Sequence, residues 1–315
     1  MNDFELGTFS FTYRSLSVHG MGISASSNFA VLYEASQLYL RNGAPVPREE
    51  VAKAALLFER RWASKLAVAA DDVYPITYGG MLKVITEVDP PIVRTEQVPF
   101  DPCWIADHVV VAFDPYGKRH EAEKFLERLV GHRDAKGYVE EFSDYAATAC
   151  EAMTPGRENL EALAGVVNKY RESFDKWTFN EKTMSSDYTH NVRKVAEHLM
   201  SLFHIRAWKP PGAGASKSLI LITEGRAVTD AVVTYLTEKG WWASPAIATT
   251  GICGEFVRSD RKIRITAGHR IDFIGAADLG QDERINTRGI CCSCAVEPRT
   301  MIVFESTQKR HEAAF

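Results

Sequence analysis

A chain of 315 residues is long enough for two domains of ordinary size, each able to bury its own core. Hydrophobic residues make up 45% and charged residues 25%, the balance of a folded soluble protein, so wholesale disorder is excluded. The 37 Lys and Arg face 41 Asp and Glu, a net charge of −4, which argues against nucleic acid or an anionic membrane as partner, since both are held by neutralising phosphates.

In chain order, the alternation of Phe4 to Phe11 reads as a strand. A small-residue turn follows from His19 to Ser27 and runs into helix-period sequence from Phe29 to Leu40, closed by Asn42-Gly43. Pro47 with Glu49 and Glu50 opens a second helix reaching Trp62. Ile76–Ile85, Ile92–Val98 and His108–Phe113 have strand character. From Lys118 to Phe203 the pattern is helical, with apolar stripes in Ala122–Leu129, Val139–Met153, Leu160–Phe174 and Val192–Phe203. A Pro/Gly-rich loop spans Lys209–Lys217. Beyond it come a strand at Ser218–Thr223, a helix at Arg226–Lys239, strands at Ala246–Thr249 and Gly254–Val257, and a mainly extended stretch from Ile263 to Ser306. The fold class is α+β, with β-rich ends and a helical middle.

No apolar run approaches the ~20 residues that span a bilayer. Residues 1–11 lack the basic start and apolar stretch of a signal peptide, so a cytoplasmic location is expected. Cys103, Cys150 and Cys253 stand apart while Cys291, Cys292 and Cys294 crowd one short run. No second spaced pair accompanies that run, so the cysteines read as small buried hydrophobes in a reducing compartment rather than zinc ligands.

Strand, small-residue turn and helix form an anion site, because the first helical N–H groups lack partners and the macrodipole puts positive charge there. Gly20 and Gly22 allow close backbone approach, and Ser24, Ser26 and Ser27 add hydroxyls for phosphate or Mg2+. The Gly-Lys-Ser/Thr ending of a Walker A loop is missing, and such turns also cap ordinary helices. Downstream stand Asp71-Asp72, followed by Gly79-Gly80, and later Gly212-Ala213-Gly214 ahead of a strand.

This ordered set resembles the GHMP kinase superfamily, which includes galactokinase, the homoserine, mevalonate and phosphomevalonate kinases, and the heptose-phosphate kinases. The resemblance extends into the helical middle, where Tyr116 to Ala122 looks like a heptose-kinase segment. It implies a two-domain fold, a ribosomal S5 domain 2-like N-domain with a ferredoxin-like C-domain. The family's opening signature strand stands near the end instead, at Ala267-Gly268-His269-Arg270-Ile271-Asp272-Phe273-Ile274-Gly275. A circular permutation is therefore expected, with residues 1–105 plus 263–315 forming the N-type domain and 106–262 the C-type domain. Linkage of ends that lie close at a surface makes such rearrangement tolerable.

The resemblance also implies roles. Gly20, Gly22, Ser24, Ala25, Ser26 and Ser27, with Gly212, Ala213 and Gly214, would cradle ATP. Asp72 would orient or deprotonate the acceptor hydroxyl, with Asp71 as its substitute. Ser26 and Glu59 would hold Mg2+, an ion suited by an oxygen-rich shell. Arg270 would stabilise phosphoryl oxygens, Asp278 and Asp272 would meet the acceptor, and Arg119 and His120 would bind a phosphate on it. Read without the family, the acidic pair is equally a solvated turn, Glu59 a surface charge paired with Arg60 or Arg61, and the others ordinary surface charges. The departures are Ser24 for a family glycine and Ala215, Ser216 and Lys217 for three more, with Lys217 a candidate counter-charge for phosphate. The expected function is phosphorylation of a small-molecule hydroxyl, of a sugar or sugar phosphate above all. The rivals are a non-catalytic ligand-binding regulator on the same fold and a phosphoribosyl-transferring relative of the ribofuranosylaminobenzene-phosphate synthases, suggested by Asp278-Leu279-Gly280.

Overall fold

A computed structural model describes residues 9–12, 25–42, 46–62, 70–88, 91–115, 135–178, 186–211, 217–246, 251–257, 262–268 and 302–306. The first half contains β1 (Phe9–Thr12), α1 (Ala25–Asn42), α2 (Arg48–Trp62), α3 (Ala70–Tyr78) and the hairpin β2 (Met81–Val88) and β3 (Pro91–Val98). Helix α2 begins where the Pro47 carbonyl accepts the amides of Glu50 and Val51. Its acidic first turn and basic last turn, Arg60 and Arg61, match the helix dipole. The apolar faces of α1, α2 and α3 share one core, in which Val31, Leu32, Val51 and Val73 are sealed from solvent.

Ile76–Tyr78 is helical, against the expectation of a strand there, and the strand starts only at Met81. The run Val73-Tyr74-Pro75-Ile76-Thr77-Tyr78 has β propensity, but burial of Val73, Tyr74, Ile76 and Thr77 against α1 and α2 outweighs it. Gly79 and Gly80 end the helix at φ 72° and 66°, a left-handed pair that only glycine enters without strain.

The second half has α4 (Pro102–His108), β4 (Val109–Phe113), α5 (Ala135–Ala152), α6 (Leu160–Thr178), α7 (Ser186–Phe203), β5 (Ala207–Lys209), β6 (Ser218–Ile222), α8 (Arg226–Glu238) and β7 (Trp242–Pro245). Its antiparallel sheet runs β5-β6-β4-β7. Val110, Ala112, Leu219 and Leu221 on one face pack with α7 and α8, while Ala207 and Ile222 pack with α5 and α6. Two elements went unpredicted, α4 and β5. Asp101 caps α4 by accepting the Cys103 amide at 2.8 Å, with Pro102 at the first helical position. Strand β7 at Trp242–Pro245 pairs with β4, and all but the first residue of the strand expected at 246–249 lie outside the described residues.

Strands β8 (Gly251–Val257), β9 (Lys262–Gly268) and β10 (Ile302–Ser306) join β1 in a second antiparallel sheet of order β1-β10-β9-β8. Helix α1 packs against β9, and α3 against both β8 and β9. The end of the chain therefore builds onto its beginning. The expected domain boundary at 262/263 falls at the first residue of β9, which pairs with β8 over seven residues. Cys103 is disulfide-bonded, contrary to the expectation of reduced cysteines, whereas Cys150 is free. Among the described residues no helix is long and apolar enough to cross a membrane.

Candidate active site

The first turn of α1 brings a hydroxyl to a carboxylate. Ser27 Oγ lies 3.0 and 2.9 Å from the two Oε atoms of Glu59, so its single proton is shared between them. Ser27 is 2% and Glu59 8% exposed. Glu59 sits in the last turn of α2, and its negative charge is placed where the start of α1 is electropositive. The expected pairing was Ser26 with Glu59; the hydroxyl bonded to Glu59 is that of Ser27, one residue further on. The side chain of Ser26 lies outside the described residues, though its backbone, with that of Ala25, forms the first turn of α1.

Asp71 and Asp72 occupy the first turn of α3. Solvent reaches both, yet Asp71 is crowded by protein, and that burial followed by the charge of Asp72 pushes its pKa up. Its own backbone N–H and Lys209 pull the other way. Asp71 is thus an exposed carboxylate whose charge the surrounding protein disfavours. Pro75 has no N–H to give the Asp71 carbonyl, so that oxygen also lacks its normal helical donor.

The charge that acts on Asp71 from the other half of the molecule is that of Lys209, the last residue of β5. Its ammonium stands 3.9 Å from the centroid of the Tyr170 ring on α6. Phe142 on α5 meets Tyr170 edge-on at 4.5 Å, and Tyr138 stacks on Phe142 at 4.1 Å. Burial lowers the Lys209 pKa to about 8, with Asp71 opposing that fall. Burial raises Tyr138 to about 12 and raises Tyr170 further, the latter also feeling Tyr138 and Asp71. Asp71 on α3 of the first half thus acts electrostatically on Lys209 of β5 and Tyr170 of α6 in the second.

The structure thus brings together Asp71, Asp72 and Lys209 at one junction, and Ser27 with Glu59 at the adjoining helix start. Lys217, considered as a phosphate counter-charge, instead donates to the Pro115 carbonyl at 3.5 Å and lies 5.6 Å from the Phe113 ring. Gly20, Gly22, Ser24, Gly212, Ala213, Gly214, Arg119, His120, Arg270, Asp272 and Asp278 lie outside the described residues. Among those described, no group of three or more His, Cys, Asp or Glu gathers as a ready-made metal cage. Sequence reading missed Lys209 and Tyr170. The available signals were the Ala207-Trp208-Lys209 alternation before Pro210 and the aromatic i,i+4 pairs Tyr138/Phe142 and Tyr170/Phe174 on two helices.

Residues 16–80, which contain α1, α2 and α3 up to the double glycine, match the model of the GHMP kinases N terminal domain. Over that stretch the chain is similar to the GHMP kinases. Solved structures agree on the GHMP fold. Phosphomevalonate kinase of Streptococcus pneumoniae aligns with a TM-score of 0.54 at 10% identity, over 72% of this chain and 70% of that one. Mevalonate kinase of L. major, crystallised with R-mevalonate, aligns at 0.51 and 16% identity, over 69% and 61%. Homoserine kinase of Cytophaga hutchinsonii aligns at 0.51 and 13% identity, over 75% and 69%. This chain spans less than two thirds of the length of the L. major and Methanococcus jannaschii mevalonate kinases. No curated protein sequence matches it significantly.

Proposed function

We propose that this chain is an ATP- and Mg2+-dependent kinase that phosphorylates a hydroxyl of a small molecule, with a sugar or sugar phosphate as the acceptor class. The observation that carries the reading is the meeting of the acidic start of α3 with Lys209 across the junction of the two halves, beside the helix start of α1. Phosphoryl transfer needs little covalent chemistry from a protein; it needs positioning and charge neutralisation. The amides opening α1, preceded by Gly20, Gly22 and Ser24, face the nucleotide phosphates, and Gly212, Ala213 and Gly214 close over them from the second half. Asp72 accepts the proton of the acceptor hydroxyl as its oxygen attacks phosphorus, and Asp71 beside it raises the local negative charge. Arg270 neutralises the transferring group, Asp272 and Asp278 bind acceptor hydroxyls, and Arg119 and His120 take a phosphate on the acceptor.

The donor set fits a hard cation. Glu59 is a buried carboxylate bonded to the Ser27 hydroxyl, all oxygen, at a helix start where phosphates would gather. Glu59 with Ser26 and Ser27 would hold Mg2+, which when bound neutralises the phosphate oxygens of the nucleotide.

ADP release measured over a panel of sugars and sugar phosphates tests the proposal. Turnover is expected with the unaltered chain and loss of it in Asp72→Ala, with ATP binding retained. Binding of nucleotide or sugar without ADP release would point instead to a regulator, and pyrophosphate release without ATP to a phosphoribosyl transferase.

The same reading includes a circular permutation, supported by β9 packing on α1 and by the β1-β10-β9-β8 pairing. Residues 263–315 then complete the first domain and cannot be dispensed with, because their loss would bare strand edges and core. Limited proteolysis that released a stably folded fragment lacking them would overturn this part.

A further inference from the structure

The ammonium of Lys209 rests on an aromatic face, yet it makes no hydrogen bond and no ion pair with any described residue. An ammonium carries three N–H donors. Taking such a group partly out of water is unfavourable unless its charge is paired and its protons are accepted. Tyr170, held edge-on by Phe142, offers the charge a quadrupole but offers the protons nothing beyond that face. Asp71 offsets the charge from across the junction without reaching hydrogen-bond distance. Among the described residues nothing accepts the protons of this partly exposed ammonium, and they remain available to a ligand.

We infer that Lys209, backed by Tyr170, anchors a phosphoryl group of a ligand where its ammonium stands free of described hydrogen-bond partners. The inference rests on the kinase reading only in taking the junction as the ligand cleft. Lysine suits the role, being a compact point charge with rotatable donors that can meet several phosphoryl oxygens at once. The ring beneath removes the competing water from one side, which strengthens the remaining contacts. The anion can come from the nucleotide or from a phosphorylated acceptor; the chemistry at Lys209 is the same.

Titration calorimetry with sodium pyrophosphate and, separately, MgADP tests the inference on the full chain and on Lys209→Met and Lys209→Arg. Pyrophosphate affinity is expected to fall about tenfold or more in Lys209→Met, as for loss of a charged hydrogen bond, and largely to survive in Lys209→Arg. An equal fall for MgADP assigns the anion to the nucleotide, and a fall for pyrophosphate alone assigns it to the acceptor. Pyrophosphate that binds Lys209→Met as tightly as the unaltered chain, or that fails to bind the unaltered chain, overturns the inference. Should the variants not fold, acetylation of the unaltered chain followed by mass spectrometry decides the matter: pyrophosphate must slow modification of Lys209, and equal rates with and without it refute the anchor. Turnover with Lys209 unprotected would remove the anchor and leave the kinase standing; a chain binding neither pyrophosphate nor MgADP would lose both.

Discussion

Two charged side chains, Glu59 and Lys209, lie largely inside this molecule and are treated in opposite ways. Glu59 is held within the first half by the Ser27 hydroxyl, both carboxylate oxygens in range, and its charge suits the helix start it touches. Lys209 crosses to the junction of the halves, stands on Tyr170, and keeps its N–H donors uncommitted. The first arrangement ties α2 to α1 as part of the scaffold. The second leaves binding energy for a ligand to use, at the expense of the free protein. Removing each should therefore shift stability in opposite directions.

The largest expected effect is on the satisfied side. Ser27→Ala takes a donor from a buried carboxylate and should lower unfolding stability by about 1–3 kcal/mol in urea titrations. Adding Glu59→Leu should restore part of that loss, because it removes the carboxylate that Ser27→Ala leaves short of a donor. A double variant less stable than Ser27→Ala would mean that Glu59 holds the scaffold by contacts other than Ser27.

On the unsatisfied side the sign reverses with pH. The folded pKa of Lys209 is about 8 against an ordinary 10.5, so between those values the folded chain binds fewer protons than the unfolded one. Stability must then rise with pH across that window, the penalty being fully present below about 8 and relieved by about 10.5. The gain is about 1–2 kcal/mol once partial exposure is allowed for. Tyr170 from α6 lies against the ammonium and Asp71 from α3 acts on it electrostatically. Both groups, with Tyr138, are present in the unaltered chain and in Lys209→Met, so the comparison of the two isolates Lys209. The difference between those two chains should shrink from pH 7.5 to 10.5; a constant difference would show that Lys209 is not desolvated.

The two sites were unequally legible in the sequence. Helices α1, α2 and α8 follow directly from their apolar period and end signals, and the Glu59 contribution emerges from family order, with the partner serine displaced by one residue. Periodicity fixes a helix and its face, but a one-residue shift turns a side chain by about 100°, so adjacent serines are told apart only by packing. Helix α3 was hidden because Val73, Ile76 and Thr77 have strand propensity and Pro75 argues against a helix interior; burial against α1 and α2 decides. Lys209 was hidden because β5 is three residues long, shorter than any alternation that can be recognised. Its partners Tyr170 and Asp71 lie 39 and 138 residues away in sequence, a juxtaposition that only the meeting of two halves creates.

Asp71 reaches Lys209 through α3, so disturbing the far end of α3 sharpens the contrast with Glu59, which does not depend on it. Gly80 has φ 66°, and a Cβ there would lie 3.3 Å from the movable Gln97 Oε1. Gly80→Ala should cost about 1–2 kcal/mol, nearly all of it backbone strain.

The smallest effect is expected at the same end. Arg48 Nη1 donates to the Tyr78 carbonyl at 3.0 Å, a solvent-exposed cation on the last turn of α3. Such a contact satisfies an orphan carbonyl and complements the helix dipole, so Arg48→Met should cost about 0.3–1 kcal/mol in urea unfolding. Because α3 is seated mainly by Val73, Tyr74 and Ile76, the helix should keep its place, and pyrophosphate affinity should stay within about twofold of the unaltered chain. A tenfold loss of that affinity from so peripheral a change would mean that anion binding is set by the register of α3 rather than by Lys209 on its ring.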